Sequence, residues 1–326
     1  METIDRNAKE CYNKRDRIYS IRSKKQRFLR VKDMIEIKNL QKGYEDKREV
    51  LKNVNLTIQD GTIFGLVGAN GVGKSTLLRL LSGILEEDGG HVRVDGEEVY
   101  ENEEVKSRIF FLSDEPYHMV NTTAKDLSTF YSAFYAFDES IFTDYLNRFG
   151  INPKTPIRNF SKGVRRQVFL VLALAVAPKY LFLDEAFDGL DSLARMIFKQ
   201  GLKELVEKKN SIVVISSHSL RELEEMCDCY GILQEGELIC SSDLEGDLYQ
   251  LHKFQMAFDR QVLESDFSFS CVSFEQSGKV VRLIAKGDAQ FLQTEIEKTN
   301  PLFVEEITVD LEELFIGEAR FRGYLK

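Results

Sequence analysis

Residues 63–76 read IFGLVGANGVGKST, and their order decides the architecture. Ile63 to Gly68 is a continuous apolar run of the kind a strand needs when both faces of a parallel sheet are covered. A glycine-rich turn follows, and then Leu77–Leu85 (LLRLLSGIL) is apolar at helical spacing. Gly68 to Thr76 fits G-x-x-x-x-G-K-[ST], with Gly68, Ala69, Asn70, Gly71, Val72, Gly73, Lys74, Ser75 and Thr76 in turn. Gly68, Gly71 and Gly73 permit backbone angles that a Cβ forbids, so successive N–H groups turn inward. Those groups and the N-terminus of the next helix cradle an anionic phosphate chain. Lys74 is placed to reach the β- and γ-phosphates of a nucleotide triphosphate, and the Ser75 hydroxyl to coordinate Mg²⁺. The plainer alternative, a glycine-rich turn with no ligand, does not explain why a strand precedes the motif and a helix follows it.

The flanking sequence repeats the same alternation. Ile35, Ile37 and Leu40, then Val50, Val54, Leu56 and Ile58, read as strands, and residues 92–112 as further short ones. Residues 124–176 are helix-rich, and the run Val168–Ala177 (VFLVLALAVA) reads as a buried core helix. Tyr180–Leu183 and Ser211–Ser216 are short β-branched or aromatic strands. Strands alternating with helices predict a parallel α/β sheet with a helical subdomain over about 117–176. Three parts follow: a basic extension at 1–33, an α/β domain at 34–245 and a small C-terminal α+β domain at 246–326. The last part shows alternation at Val280–Ile284 and a helix from Asp288 to Lys298.

Composition excludes several classes. Residues 1–33 hold 11 Lys or Arg against 5 Asp or Glu, while the whole chain of 326 residues carries a formal charge of −9, so the body is acidic. An acidic body argues against nucleic-acid binding, which needs basic surface to displace counterions. The longest apolar run is too short to span a bilayer, and the basic N-terminus lacks the apolar stretch of a secretory signal. Five cysteines without a C-x-x-C pair read as reduced thiols rather than a zinc site.

Chemistry is added by a strand that ends in carboxylates. Tyr180–Glu185 reads YLFLDE, which sets Asp184 at the sheet's carboxyl edge beside the phosphate loop, where it can hold Mg²⁺. Glu185, one residue on, is placed to orient and deprotonate an attacking water. Residues 160–167 read FSKGVRRQ before a long apolar helix, 184–192 read DEAFDGLDS, and 216–219 read SSHS at a strand end. In this order and spacing, from about Met34 to about Ser241, the chain resembles the ATP-binding cassette (ABC) ATPases of transporters, a P-loop NTPase fold. The resemblance implies that Ser161, Lys162 and Gly163 form the signature corner that contacts the γ-phosphate held by a second subunit. It implies that Asp191 is the D-loop aspartate and His218 the switch histidine that helps hold the attacking water. Tyr44, in KGYEDK, aligns with the aromatic that stacks on adenine. Asp114, in IFFLSDEP, stands where the family usually has Gln, and as a carboxylate it can ligate Mg²⁺ but not donate a hydrogen bond. The SKG signature and the closing ITVDLEELFIG (Ile307–Gly317) are similar to the exporter subgroup that handles drugs, peptides and antibiotics.

The resemblance implies a transport ATPase with ATP and Mg²⁺ as cofactors. Its partners would be a second ABC subunit, most simply another copy, and an integral membrane permease, at the cytoplasmic face of the membrane. Residues 117–150, rich in aromatics at Phe130, Tyr131, Phe134, Tyr135 and Phe137, read either as the face on which the permease docks or as the internal packing of a small subdomain. Two other readings compete. A non-transport cassette ATPase acting on ribosomes or nucleic acid would carry two cassettes, long coiled coils or zinc modules, and none is seen. A regulatory module that binds ATP without hydrolysing it is favoured only by Asp114.

Overall fold

The computed structural model describes residues 34–44, 49–219, 223, 226–240, 251–307, 309 and 313. The basic extension, the boundary near residue 245 and the end of the chain from 314 lie outside them. In chain order the elements are β1 (Met34–Gly43), β2 (Glu49–Gln59), β3 (Ile63–Val67), α1 (Lys74–Leu81), β4 (Gly89–Val94), β5 (Glu97–Glu98), α2 (Glu103–Lys106) and β6 (Ile109–Leu112). Next come α3 (Ala124–Ser132), α4 (Glu139–Arg148), α5 (Lys162–Val176), β7 (Tyr180–Leu183), α6 (Ser192–Lys209), β8 (Ile212–Ser217), β9 (Cys229–Gln234) and β10 (Glu237–Cys240). The chain continues through β11 (Leu251–Ala257), β12 (Cys271–Ser277), β13 (Val280–Lys286), α7 (Ala289–Glu297) and β14 (Phe303–Ile307).

The central sheet has the order β10-β9-β3-β8-β7-β6, parallel except for the antiparallel β10. The phosphate-loop strand β3 is buried at all five positions, as its unbroken apolar run predicts. Because side chains alternate between faces, each strand feeds two cores. Ile63, Val67, Leu181, Leu183, Val213 and Ile215 enter a core shared with α3 to α6. Phe64, Leu66, Tyr180, Phe182, Ile212 and Val214 enter the other, with α1 and an antiparallel sheet of order β2-β1-β4-β5. The sequence shows these outer strands one by one but not their antiparallel pairing. The signal for one pairing is Asp95-Gly96, both at positive φ, the two-residue turn of a hairpin.

Local chemistry sets the helix ends that matter. Ser161 caps α5, its Oγ accepting from Val164 N. The run Val168–Val176 is buried throughout, so α5 is a core helix rather than a membrane span. It ends at Ala177 in the left-handed region, followed by Pro178, which cannot continue a helix. Asp191 caps α6 by accepting from Ala194 N at 2.8 Å, and Asn210 closes that helix with φ 51°.

Residues 251–307 form a third sheet, antiparallel and of order β12-β13-β11-β14, with α7 on one face. Asp288 caps α7, and Leu292 and Ile296 close a core with Phe254, Met256 and Leu283. Leu251 and Val309 pack against the helical-side core of the central sheet.

Asp95 joins three parts of the fold. Its carboxylate accepts from Tyr180 Oη at 2.5 Å, Arg108 Nη1 at 2.5 Å and Met34 N at 3.1 Å. Asp95→Ala removes the acceptor from a fully buried tyrosine and a half-buried arginine together. The expected cost is about 3 kcal/mol, read as a lower thermal midpoint. A midpoint unchanged from the parent would show that this carboxylate is dispensable.

Candidate nucleotide site

A cleft of about 930 Å³ opens at the carboxyl ends of β3 and β7. It is lined by Tyr44 and Val50, by Asn70, Gly71, Gly73, Lys74, Ser75 and Thr76 of the phosphate loop and the helix after it, and by Asp114, Glu185, Asp188 and His218. The phosphate loop thus joins the predicted carboxylate and histidine in one place.

The loop follows its sequence reading with two changes. Gly73 has φ 117° and Gly71 φ 77°, as expected of glycines that turn N–H groups inward. Gly68 is required for a different reason, because a Cβ there would lie 2.6 Å from the Leu233 carbonyl oxygen. Val72 directs its side chain into the core, and its N–H donates to Ala69 O at 3.4 Å. Lys74 is 5% exposed; its ammonium donates to Gly68 O at 2.7 Å and Ala69 O at 3.1 Å and pairs with Glu185 Oε1 at 3.0 Å. Tyr44 stands on the cleft wall with its hydroxyl 3.2 Å from Thr76 Oγ1.

The carboxylates behind the cleft are held by a residue that motif reading did not single out. Ser216, at the end of β8, donates its hydroxyl to Asp184 Oδ1 at 2.7 Å and accepts from Glu185 N at 2.9 Å. Asp184 is 2% exposed, so this bond fixes a buried carboxylate. Glu185 has φ 47°, an uncommon conformation for a residue with a Cβ, and Ser216 helps hold it there. Its second oxygen, Oε2, lies 3.1 Å from His218 Nδ1. Lys74, Glu185 and His218 therefore form a continuous polar chain in the lining of the cleft. A carboxylate so placed can accept a proton from a water beside a bound γ-phosphate.

Oxygen donors predominate here. Among the described residues no group of three His, Cys, Asp or Glu is placed to hold a metal ion by itself. A hydroxyl at Ser75 and a buried carboxylate at Asp184 suit Mg²⁺, which keeps waters and takes its remaining ligands from phosphate. Asp114, expected at the metal, lines the cleft but is paired with Arg166, whose Nη2 donates to its Oδ1 at 2.5 Å.

Ser161, Lys162 and Gly163, the residues expected to form the signature corner, do not themselves line this cleft, although Lys162 Nζ reaches its lining residue Asp188. Gly163 packs so closely on the loop after β7 that a Cβ would lie 2.8 Å from the Gly189 carbonyl oxygen. Asp191 is engaged in capping α6. Among the described residues Cys227, Cys229 and Cys271 form no disulfide, and burial pushes Cys229 and Cys271 up to about 12.

Comparison with known proteins identifies the family. A family model described as ABC transporter matches residues 51–188. The chain is 33% identical over 291 residues to the ABC transporter ATP-binding protein YtrB of Bacillus subtilis, covering 89% of this chain and 99% of that protein. It is 32% identical over 235 residues to the lantibiotic transport ATP-binding protein SrtF of Streptococcus pyogenes, covering 70% of this chain and all of that one. A solved structure described as the ATP-binding subunit of an ABC transporter superposes with a TM-score of 0.59 at 25% identity, over 65% of this chain and 92% of its own. With a phosphate loop and a glutamate–histidine pair lining one cleft and a buried aspartate behind it, the chain belongs to the ATP-binding proteins of ABC transporters, as their ATP-hydrolysing subunit.

Proposed function

We propose that this subunit drives a separate membrane permease for export, by closing with a second ABC subunit, most simply its own copy, around two ATP molecules. One observation carries the reading: the cleft holds the loop, Glu185 and His218, while Ser161 and Gly163 lie outside it at the tip of α5. A hydroxyl and free N–H groups at a helix N-terminus suit an anion, so the corner is complementary to a phosphate in another chain's cleft. Mg²⁺ would be held by Ser75 and Asp184 and would neutralise charge on the transferring phosphoryl group.

On this reading each residue has a task. Tyr44 offers its ring to the base, which gives about 1 kcal/mol with little selectivity. Lys74 turns its donors from Glu185 to the β- and γ-phosphates, and Glu185, released from that pair, takes the proton of the attacking water. His218 orients the same water. Asp191 connects the two sites across the interface. Closure then drives the permease between its states.

The permease docks, on this reading, on the helical side at the cytoplasmic face. Phe130 of α3 and Phe134 just after that helix are exposed there, as are Tyr117 (88%), Met119 and Val120 in the loop before it. Tyr131, Tyr135 and Phe137 pack inward instead, and Tyr135 donates to Ile109 O, so only part of the aromatic set is available. No helix among the described residues is long and apolar enough to cross a membrane. The transport of a lantibiotic by SrtF, together with the SKG signature, supports a substrate of the drug or peptide class.

Ser161→Ala tests the two-chain site. Turnover should fall about 10²-fold, the usual effect of removing one preorganised donor, with ATP affinity of the isolated subunit unchanged. Turnover per subunit should also fall on dilution. Wild-type rates for Ser161→Ala, with activity independent of dilution, would mean that one chain is sufficient and would end the sandwich reading.

A further inference from the structure

Two carboxylates that line the cleft are each paired with a cation on α5. Arg166 Nη2 donates to Asp114 Oδ1 at 2.5 Å, and Lys162 Nζ donates to Asp188 Oδ2 at 3.0 Å. Lys162 and Arg166 are four residues apart, hence on one face of the helix. The two acids come from different loops, Asp114 after β6 and Asp188 after β7. Lys162, by hydrogen bond and charge, and then Arg166 and His218 by charge, hold the Asp188 carboxyl below its usual range.

The burial of the two partners is unequal. The Arg166 side chain is 2% exposed and Asp114 is 49% exposed. Arg166 Nη1 is also buried and has no hydrogen-bond partner among the described residues. A guanidinium in that position depends on the carboxylate it is hydrogen-bonded to, Asp114. If Asp114 turned to a metal ion it would strand a buried positive charge. If Arg166 were lost, a bare carboxylate would face the triphosphate.

We propose that Lys162 and Arg166 form a two-point clamp that neutralises Asp188 and Asp114 and ties occupancy of the chain's own cleft to the placement of its own signature serine. Asp114 is then a positioning residue and not a metal ligand. A triphosphate makes the cleft more negative and draws the two cations more firmly towards it. Those cations sit one and five residues after Ser161, and the Gly163–Gly189 contact joins the same corner to the same loop. ATP in one cleft thereby sets the corner that the other subunit's ATP needs. This rests on the two-chain reading above, whereas the charge compensation within one chain does not.

The test uses the full chain in a Glu185→Gln background, with ATP and Mg²⁺ as ligand and dimerisation read by sedimentation. Arg166→Gln should weaken ATP binding by about tenfold or more, because like charges in the cleft interact through an effective dielectric near ~20. Asp114→Asn should keep ATP binding yet raise the protein concentration needed for dimerisation. Adding Asp114→Asn to Arg166→Gln should restore ATP binding and leave dimerisation impaired. Mn²⁺ affinity of the ATP complex, read by electron paramagnetic resonance, should be unchanged by Asp114→Asn. If the double variant binds ATP as poorly as Arg166→Gln, or if Asp114→Asn weakens Mn²⁺ binding, the clamp is wrong. Should Arg166→Gln fail to fold, the exposed pair Lys162→Gln and Asp188→Asn must show the same rescue, and its absence overturns the proposal. ATP affinities decide the clamp even where the parent stays monomeric, an outcome that counts against the sandwich alone.

Discussion

Glu185→Gln should lower ATP turnover by about 10³-fold, within the range for removal of a positioned general base, while ATP binding is kept or tightened. The side chain keeps its size, and its backbone, held by Ser216, keeps its unusual conformation. What disappears is the capacity to take a proton from water. What also disappears is a negative charge 3.0 Å from the Lys74 ammonium. Without it Lys74 has no anionic competitor for the phosphates, so affinity has no reason to fall. A subunit that binds ATP but cannot hydrolyse it should accumulate as the closed dimer. Steady-state phosphate release and sedimentation with ATP and Mg²⁺ check both halves. Turnover equal to the parent would remove Glu185 from the chemistry and leave His218, its partner at 3.1 Å, as the residue to examine.

The parts of this molecule that were legible in its sequence are those whose physics is local. The stretch IFGLVG needs burial on both faces, and β3 is buried at every position. The loop GANGVGKST lies between that strand and α1, as its glycines require, and YLFL ends with Asp184 at the sheet edge. Contacts made across the chain were not legible. In the sequence Ser216 is only one serine of SSHS, because its link to Asp184 and Glu185 spans 32 and 31 residues. In the sequence Arg166 is one more basic residue after FSKGV, and only the fold sets it against Asp114, 52 residues away. Asp188 likewise sits inside DEAFDGLDS, where nothing local sets it against Lys162, 26 residues away. The third sheet reads as mixed strand and helix, since nothing in single strands such as FVEEI (Phe303–Ile307) says which neighbour they pair with.

Lys74→Ala should be the more damaging change to binding, and its pattern with Glu185 separates two causes. Lys74 is 5% exposed and holds the loop to itself through Gly68 O and Ala69 O. Its loss removes a charge-assisted donor to the phosphates and also leaves Glu185, 17% exposed, without its cation. Both effects oppose an anion, and together they should weaken ATP binding by about 10²-fold, with turnover falling at least as far. The two contributions differ in origin and can be divided. In the double variant Lys74→Ala with Glu185→Gln the stranded carboxylate is gone, so part of the lost affinity should return although turnover stays negligible. Full persistence of the loss would assign it all to the missing phosphate contact, and the Lys74–Glu185 pair would then have no influence on binding. Equilibrium titration of the four proteins with ATP measures this coupling, because the two residues touch and their effects need not add.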